Sequence, residues 1–486
     1  MKPQNLVIIM SDEHNRSMSG CYGHKIITTP NIDALAARGA RFTNAYTSSP
    51  ICVPARASFA TGKHVHQVGF WDNADPYDGS LPSWHHLLRD AGHEVVSIGK
   101  LHFRSGKDDN GFSREILPMH VVEEKGDLMG LIRDKIPPRG MAHKMATMAG
   151  PGESSYTLYD RQIAAEAAKW IHDEAPKHQR KPWVLFVSFV TPHFPLTAPP
   201  EHYYRYYDTP NLPSPKAYAK DERPSHPAID VYAGSSNYDE YFKTPNDVRR
   251  AVAGYFGLCS FLDEQIGKVI AALDESGAGE DTRIVYISDH GDNLGARGLW
   301  GKSTMYEESA GIPMIVAGEG IAEGKVVDTP STFLDVYPFI FDCVGESGTG
   351  MVDFDHPGTS VADLAMGSDA GRTVLSEYHA MGSTGGIFML RDRQYKYVHY
   401  VNYEPQLFDL ENDPDEMSDL SGNPNYSDVA LSFRARLYGL LDPEEIDRKA
   451  KARQNDLILE NGGRDAVIAR GEFGYSPPPG YQAVLG

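Results

Sequence analysis

Apolar and polar positions follow two rhythms along this chain. The runs Leu6–Met10, Glu94–Ile98, Trp183–Val190, Arg283–Ser288 and Pro313–Val316 are short and largely apolar. Such runs, bounded by turn formers, predict strands buried on both faces. Between them apolar residues recur at helical spacing. Asn246–Leu273 is the clearest case: Val248, Val252, Tyr255, Cys259, Leu262, Ile266, Val269 and Leu273 fall on one stripe. Pro54–Ala60, closed by Gly62, and Ser83–Asp90 predict shorter helices. Thr29 and Pro30 open another, which Gly39 stops. Phe42–Tyr46 adds a candidate strand. Helices alternating with such strands predict an α/β fold, a large mixed and mainly parallel sheet sandwiched by helices.

The texture changes after about residue 370. Gly386–Arg391, Tyr395–Val401 and Gln406–Leu410 follow one another closely and are separated by turn residues, which predicts an antiparallel sheet. A helix near Tyr426–Leu441 would pack on it. The expected organisation is a catalytic domain over 1–368, a small C-terminal α+β subdomain over 369–442, and an extended arm over 443–486 that is polar and then rich in Pro and Gly. The stretch 105–155 is irregular and rich in Gly, Lys and Met, the kind of insertion that carries specificity.

Charge narrows the function. The net charge is −20 and the pI about 5.4, which argues against a nucleic-acid partner. An anionic substrate would need a local cluster of cations to overcome that field. No apolar stretch approaches the roughly 18 residues of a membrane helix, so no membrane partner and a cytoplasmic location are expected. The four cysteines (Cys21, Cys52, Cys259 and Cys343) are widely spaced and form no CxxC pair, so no disulfide framework is expected.

Candidate chemistry gathers at strand ends, where open α/β sheets bind ligands. Asp12 and Glu13 follow the first apolar run, and Asp289 and His290 follow Arg283–Ser288. Cys52-Val53-Pro54-Ala55-Arg56 is the sharpest pattern. Pro54 favours a first helical turn, so Cys52 sits at a helix N-terminus, where negative charge is favoured. Arg56 lies one turn on. Three readings of Cys52 stand side by side: a buried structural thiol, a thiolate nucleophile, or the precursor of a modified nucleophile.

Cys-x-Pro-x-Arg resembles the motif of type I sulfatases, members of the alkaline phosphatase superfamily, in which the cysteine is oxidised to Cα-formylglycine. The resemblance runs along most of the chain. Asn5–Asp12 is similar to that family's opening strand and first metal aspartate, and Thr29–Ala36 to its first helix. Gly99-Lys100-Leu101-His102 resembles its Gly-Lys-x-His, and Thr191–Pro195 its His-x-Pro element. Ser288–Asp292 with Gly301-Lys302 resembles its second metal segment, and Gln406–Pro414 its C-terminal signature.

The resemblance implies an alkaline-phosphatase-like fold and sulfuric ester hydrolysis. It implies one divalent metal, Ca²⁺ or Mn²⁺, on Asp12, Glu13, Cys52, Asp289 and His290. Catalysis would rest on Cys52, Arg56, Lys100, His102, His193 and Lys302. Asn73, Lys100, His193 and Lys302 would bind substrate. A hydrated aldehyde at position 52 would attack with one hydroxyl and, once His102 deprotonates the other, collapse to release the anion. His193 and Lys302 would serve the leaving oxygen. His290 stands where much of the family has Asn, a departure similar to choline sulfatases and phosphonate monoester hydrolases that tilts the metal toward Mn²⁺.

The implied substrate is a small organic or aryl sulfate ester. A phosphonate monoester or phosphodiester hydrolase, or a site promiscuous for both, is the alternative. The stretch 105–155 has no Trp with which to cage a quaternary ammonium, so choline is not singled out. A formylglycine-generating enzyme is an implied partner. A homo-oligomer is expected, with the Pro-rich arm after residue 470 reaching a neighbouring subunit's site.

Overall fold

The protein is described by a computed structural model covering residues 2–350, 356–369 and 371–483. Its largest unit is an eight-stranded sheet. In chain order the strands are β1 (Asn5–Asp12), β2 (Gly39–Phe42), β3 (Val95–Lys100), β4 (Arg114–Met119), β5 (Val184–Pro192), β6 (Thr282–Ser288), β7 (Met314–Ala317) and β8 (Lys325–Val327). Across the sheet they run β8-β2-β7-β6-β1-β5-β3-β4. The block from β6 to β4 is parallel, while β7 is antiparallel to both neighbours.

Strand β1 shows why its sequence reads as continuously apolar. Leu6, Ile8 and Met10 join the core on one face, and Val7 and Ile9 join the core on the other. The first face is covered by helices α2 (Cys52–Thr61), α3 (Trp84–Asp90) and α6 (Val336–Val344). The second carries α1 (Pro30–Ala37), α4 (Ser155–Asp173) and α5 (Pro245–Ser276). Helix α5 starts where Thr244 caps it, its hydroxyl accepting from the Asp247 N–H, and stops at Gly277.

The C-terminal part forms a four-stranded antiparallel sheet of β9 (Val374–Tyr378), β10 (Ile387–Arg391), β11 (Tyr395–Tyr400) and β12 (Gln406–Asp409). Helix α7 (Ser427–Leu440) packs on it through Phe433 and Leu437. The segment expected as an extended arm differs over its first part. It forms helices α8 (Pro443–Glu460) and α9 (Arg464–Arg470), because Leu457, Ile458 and Val467 find apolar partners in Leu128, Leu131 and Ile132 of the irregular insertion. The segment after Gly471 carries no helix among the described residues, and residues 484–486 of the expected arm lie outside them. No described helix is long and apolar enough to cross a membrane.

A buried ionic knot ties the two sheets together. Glu377 in β9 accepts from the backbone N–H of His66 and lies 2.9 Å from its Nδ1, and His379 Nε2 lies 3.0 Å away. Burial opposes the Glu377 carboxylate, but His66 and His379 hold its pKa below the ordinary 4.5. Burial likewise opposes the His66 cation, and Glu377 raises its pKa above 6.5. The Glu377 contribution is therefore present above pH 4.5 and lost as pH falls through its lowered value. The His66 contribution is complete below pH 6.5 and lost as pH rises through its raised value. Urea unfolding across this range should show Glu377→Gln less stable than the parent at pH 6 and flatter with pH. A parallel profile would contradict this account.

Candidate active site

Four consecutive parallel strands end at one edge of the large sheet, and each delivers a polar side chain there. Strand β3 ends at Lys100, β5 leads into His193, β1 ends at Asp12, and β6 leads into Asp289 and His290. Ser11 pairs with Ser288 in the ladder, and the Asp289 N–H donates to Ser11 O at 3.2 Å. The two aspartates therefore lie side by side.

Helix α2 brings the cysteine to the same edge. Cys52 is its first residue and Ile51 its N-cap, which offers no side-chain acceptor. Asn73 replaces that function in part: its Oδ1 accepts from the Val53 N–H at 3.1 Å. The helix closes at Gly62, whose φ is +69° and where a Cβ would stand 2.4 Å from the Tyr337 ring. Only glycine serves there, and it fixes how α2 sits on the core.

Arg56 sits buried between the aspartates. Its Nε donates to Asp289 Oδ2 at 2.8 Å and its Nη2 to Asp12 Oδ2 at 3.1 Å. Nη1 donates to Lys100 O and Ser188 Oγ, both at 2.9 Å. Lys100 Nζ lies 2.5 Å from Asp12 Oδ2. Burial works against the Asp12 carboxylate, but Lys100, His193 and Arg56 hold its pKa well below the usual carboxylate range.

Cys52 Sγ lies 3.1 Å from His290 Nε2 and 3.7 Å from Asp12 Oδ1. As an unmodified thiol it is pushed up to about 12 by burial and by Asp12, which leaves it protonated and a weak nucleophile. One donor atom each from Asp12, Cys52, Asp289 and His290 falls within 4.8 Å of the others, all buried. Two carboxylates, an imidazole and the position-52 group suit a hard or borderline divalent cation. Glu13 stands beside that group. It groups with Asp12 and His193, and its Oε2 meets Lys302 Nζ at 3.1 Å. Its Oε1 is buried without a partner, and burial pushes its carboxyl up to about 8. An unpartnered buried carboxyl oxygen beside the aspartates fits a divalent cation held there.

Lys302 and His193 form a directed pair. Lys302 has no acceptor, so its Nζ donates to His193 Nε2 at 2.7 Å. His193 Nδ1 then carries the proton and donates to Phe194 O at 2.6 Å. Burial and the nearby Lys302 keep His193 well below the ordinary histidine range. His102 is also buried, and burial and Lys100 hold it neutral. Neither of its ring nitrogens has a partner. Its φ of 55°, with 67° at Glu13 and 77° at Ser303, places strained non-glycine residues around the cavity.

Cys52, Asn73, His102, His193 and Lys302 all line one cavity. Asp12, Arg56, Lys100, Asp289 and His290 stand beneath it, in the contacts described above. The structure thus brings all the sequence-predicted site residues to one place. The sequence reading missed part of the cavity wall. Asp127, Arg139 and Met141 come from the irregular insertion, which the sequence marked only as a segment, and Glu472, Phe473 and Tyr475 come from beyond α9. No local motif signals the latter.

Comparison with known proteins agrees with this geometry. The sulfatase family pattern matches residues 4–346, and the C-terminal pattern of N-sulphoglucosamine sulphohydrolase matches residues 295–442. The chain is 35% identical over 427 residues to a choline-sulfatase of Rhizobium meliloti (strain 1021), covering 86% of this chain and 83% of that protein. It is 26% identical over 477 residues to arylsulfatase K of Danio rerio, covering 94% and 87%. The fold is similar to that of a phosphonate monoester hydrolase of Agrobacterium radiobacter, with a TM-score of 0.72 at 22% identity over 90% of this chain and 95% of the other.

Proposed function

The chain belongs to the sulfatase family and hydrolyses sulfate esters, and from that premise we propose that residue 52 is the nucleophile, formed by oxidation of Cys52 to formylglycine. The observation that carries this reading is the placement of Cys52 Sγ. It stands at a helix N-terminus, in the four-donor group with Asp12, Asp289 and His290, and lines the cavity with His102, His193 and Lys302.

Asp12, Asp289 and His290, with the position-52 group, would hold one divalent cation, calcium or manganese. When bound, that cation supplies Lewis-acid polarisation of the ester oxygens and favours an ionised nucleophile. The remaining work falls to the chain's own groups. Arg56 and Lys100 fix the two aspartates. Asn73 orients the first turn of α2. His102, neutral and unpartnered, is placed to take a proton in the cavity. The Lys302 ammonium, held in place by His193 Nε2, binds the ester's anionic oxygens and serves the leaving oxygen.

Charge bears on the second reading. Two carboxylates (Asp12 and Asp289), and Glu13 with its raised carboxyl, face three cations (Arg56, Lys100 and Lys302). A divalent ion adds to that positive charge, so the site draws an ester with negative charge at its reacting group. Sulfate esters, phosphonate monoesters and phosphodiesters share that charge, so hydrolysis of the latter two is the alternative activity.

The test is expression with a formylglycine-generating enzyme, mass spectrometry of the peptide holding residue 52, and turnover of matched aryl sulfate and aryl phosphonate esters. Conversion at residue 52 with a higher kcat/KM on the sulfate is expected. A free thiol in fully active protein would overturn the nucleophile, and a phosphonate preference would overturn the order of the two activities.

A further inference from the structure

The cavity above Cys52 is walled on one side by a segment 420 residues away in sequence. After Gly471 the chain folds back over its own pocket, where the sequence reading sent it to a neighbouring subunit. Glu472 is only 3% exposed. Its Oε1 accepts from the Met141 N–H at 2.6 Å, and its Oε2 lies 2.6 Å from Arg139 Nε. Arg139 Nη2 in turn donates to Asp127 Oδ2 at 2.5 Å. Three residues on, the Tyr475 ring sits edge-on to Tyr156 at 5.3 Å and to Phe194 at 6.3 Å. Tyr156 Oη donates to Ser476 O at 2.6 Å. Phe194 itself stacks on His193 at 4.3 Å.

These contacts make the segment a fixed wall. A buried carboxylate–guanidinium–carboxylate chain anchors one end, and buried hydrogen bonding with aromatic packing anchors the other. The partly open cavity measures about 110 Å³, room for a compact alcohol within its walls. The wall also carries charge. Asp127 and Glu472 are matched by Arg139 and by Lys144, whose Nζ lies 5.2 Å over the Tyr475 ring, so the wall has no spare cation for a substrate with a second anionic group.

We propose that Glu472–Ser476 determine substrate specificity, restricting the site to sulfate esters of small neutral or cationic alcohols. The proposal rests on the site reading given above. Its test compares the full chain, Glu472→Gln, Tyr475→Ala and a chain ending at Arg470, each with residue 52 converted, on 4-nitrophenyl sulfate and a monosulfated trisaccharide.

The full chain should favour the small ester in kcat/KM by about 100-fold or more. Tyr475→Ala should raise KM for it about tenfold with kcat changed less than about threefold. Both Tyr475→Ala and the shortened chain should narrow the size preference at least about tenfold. Circular dichroism checks that each variant is folded, and the two point variants carry the test if the shortened chain is not. An unchanged size preference and KM in folded Tyr475→Ala and Glu472→Gln would overturn the wall. Hydrolysis of neither ester by the converted full chain would overturn the site reading itself, and the wall with it.

Discussion

Replacing Cys52 with Ala is expected to lower kcat on an aryl sulfate by at least about ten-thousandfold while a divalent cation still binds. The first half follows from position. Residue 52, which we propose as the nucleophile, lines the cavity beside His102, His193 and Lys302, and removing a nucleophile leaves only the rate that binding and charge stabilisation supply. The second half follows from the donor set. Asp12, Asp289 and His290 remain buried and converge without Cys52, and Arg56 and Lys100 still fix the aspartates. Turnover assays with calorimetric titration of calcium and manganese separate the two. Turnover within about tenfold of the parent would remove Cys52 from the chemistry. Loss of metal affinity with the cysteine would instead make residue 52 the dominant ligand, contrary to the geometry.

The site was legible because its residues are announced locally. Asp12, Lys100, His193 and Asp289 each follow an apolar run, and a parallel sheet gathers strand C-termini at one edge. Cys52 and Arg56 share one helical turn. What stayed hidden depends on distant partners. Helix α8 is polar over most of its surface; Ile446 and Ala450 pack on the C-terminal sheet, and Leu457 and Ile458 meet Leu128 and Leu131 more than 300 positions earlier. Read alone, so sparse an apolar stripe passes for an arm. Glu472 is likewise an ordinary acidic residue until Arg139 and Met141 N–H face it. Helix α4 was missed between residue 155 and the strand at Trp183, where no element was predicted, although Ser154 caps it and Tyr159, Ile163, Ala167 and Trp170 form its buried stripe. Glu13 was placed among the metal ligands by its position after Asp12. The left-handed turn at Glu13 sets it beside Lys302 and His193 as well as Asp12.

Arg56→Met should be the most destabilising single change at the site, and its cost should depend on metal. The guanidinium satisfies Asp289, Asp12, Lys100 O and Ser188 Oγ at once and is 3% exposed. Met fills similar volume but leaves two buried carboxylates with fewer partners, and breaking a buried pair in this way costs about 3–5 kcal/mol. Urea unfolding of metal-stripped protein should show that loss. Added calcium or manganese should recover part of it, since a cation at Asp12 and Asp289 replaces positive charge that Arg56 supplied. Arg56→Lys should fall between the two, because an ammonium restores charge but cannot reach both carboxylates in the planar fork. kcat/KM should fall in the same order, as the aspartates lose their fixed geometry. Equal stability of Arg56→Met and the parent without metal would show that the carboxylates are neutral there, and would remove the charge clamp on which the site's geometry is argued.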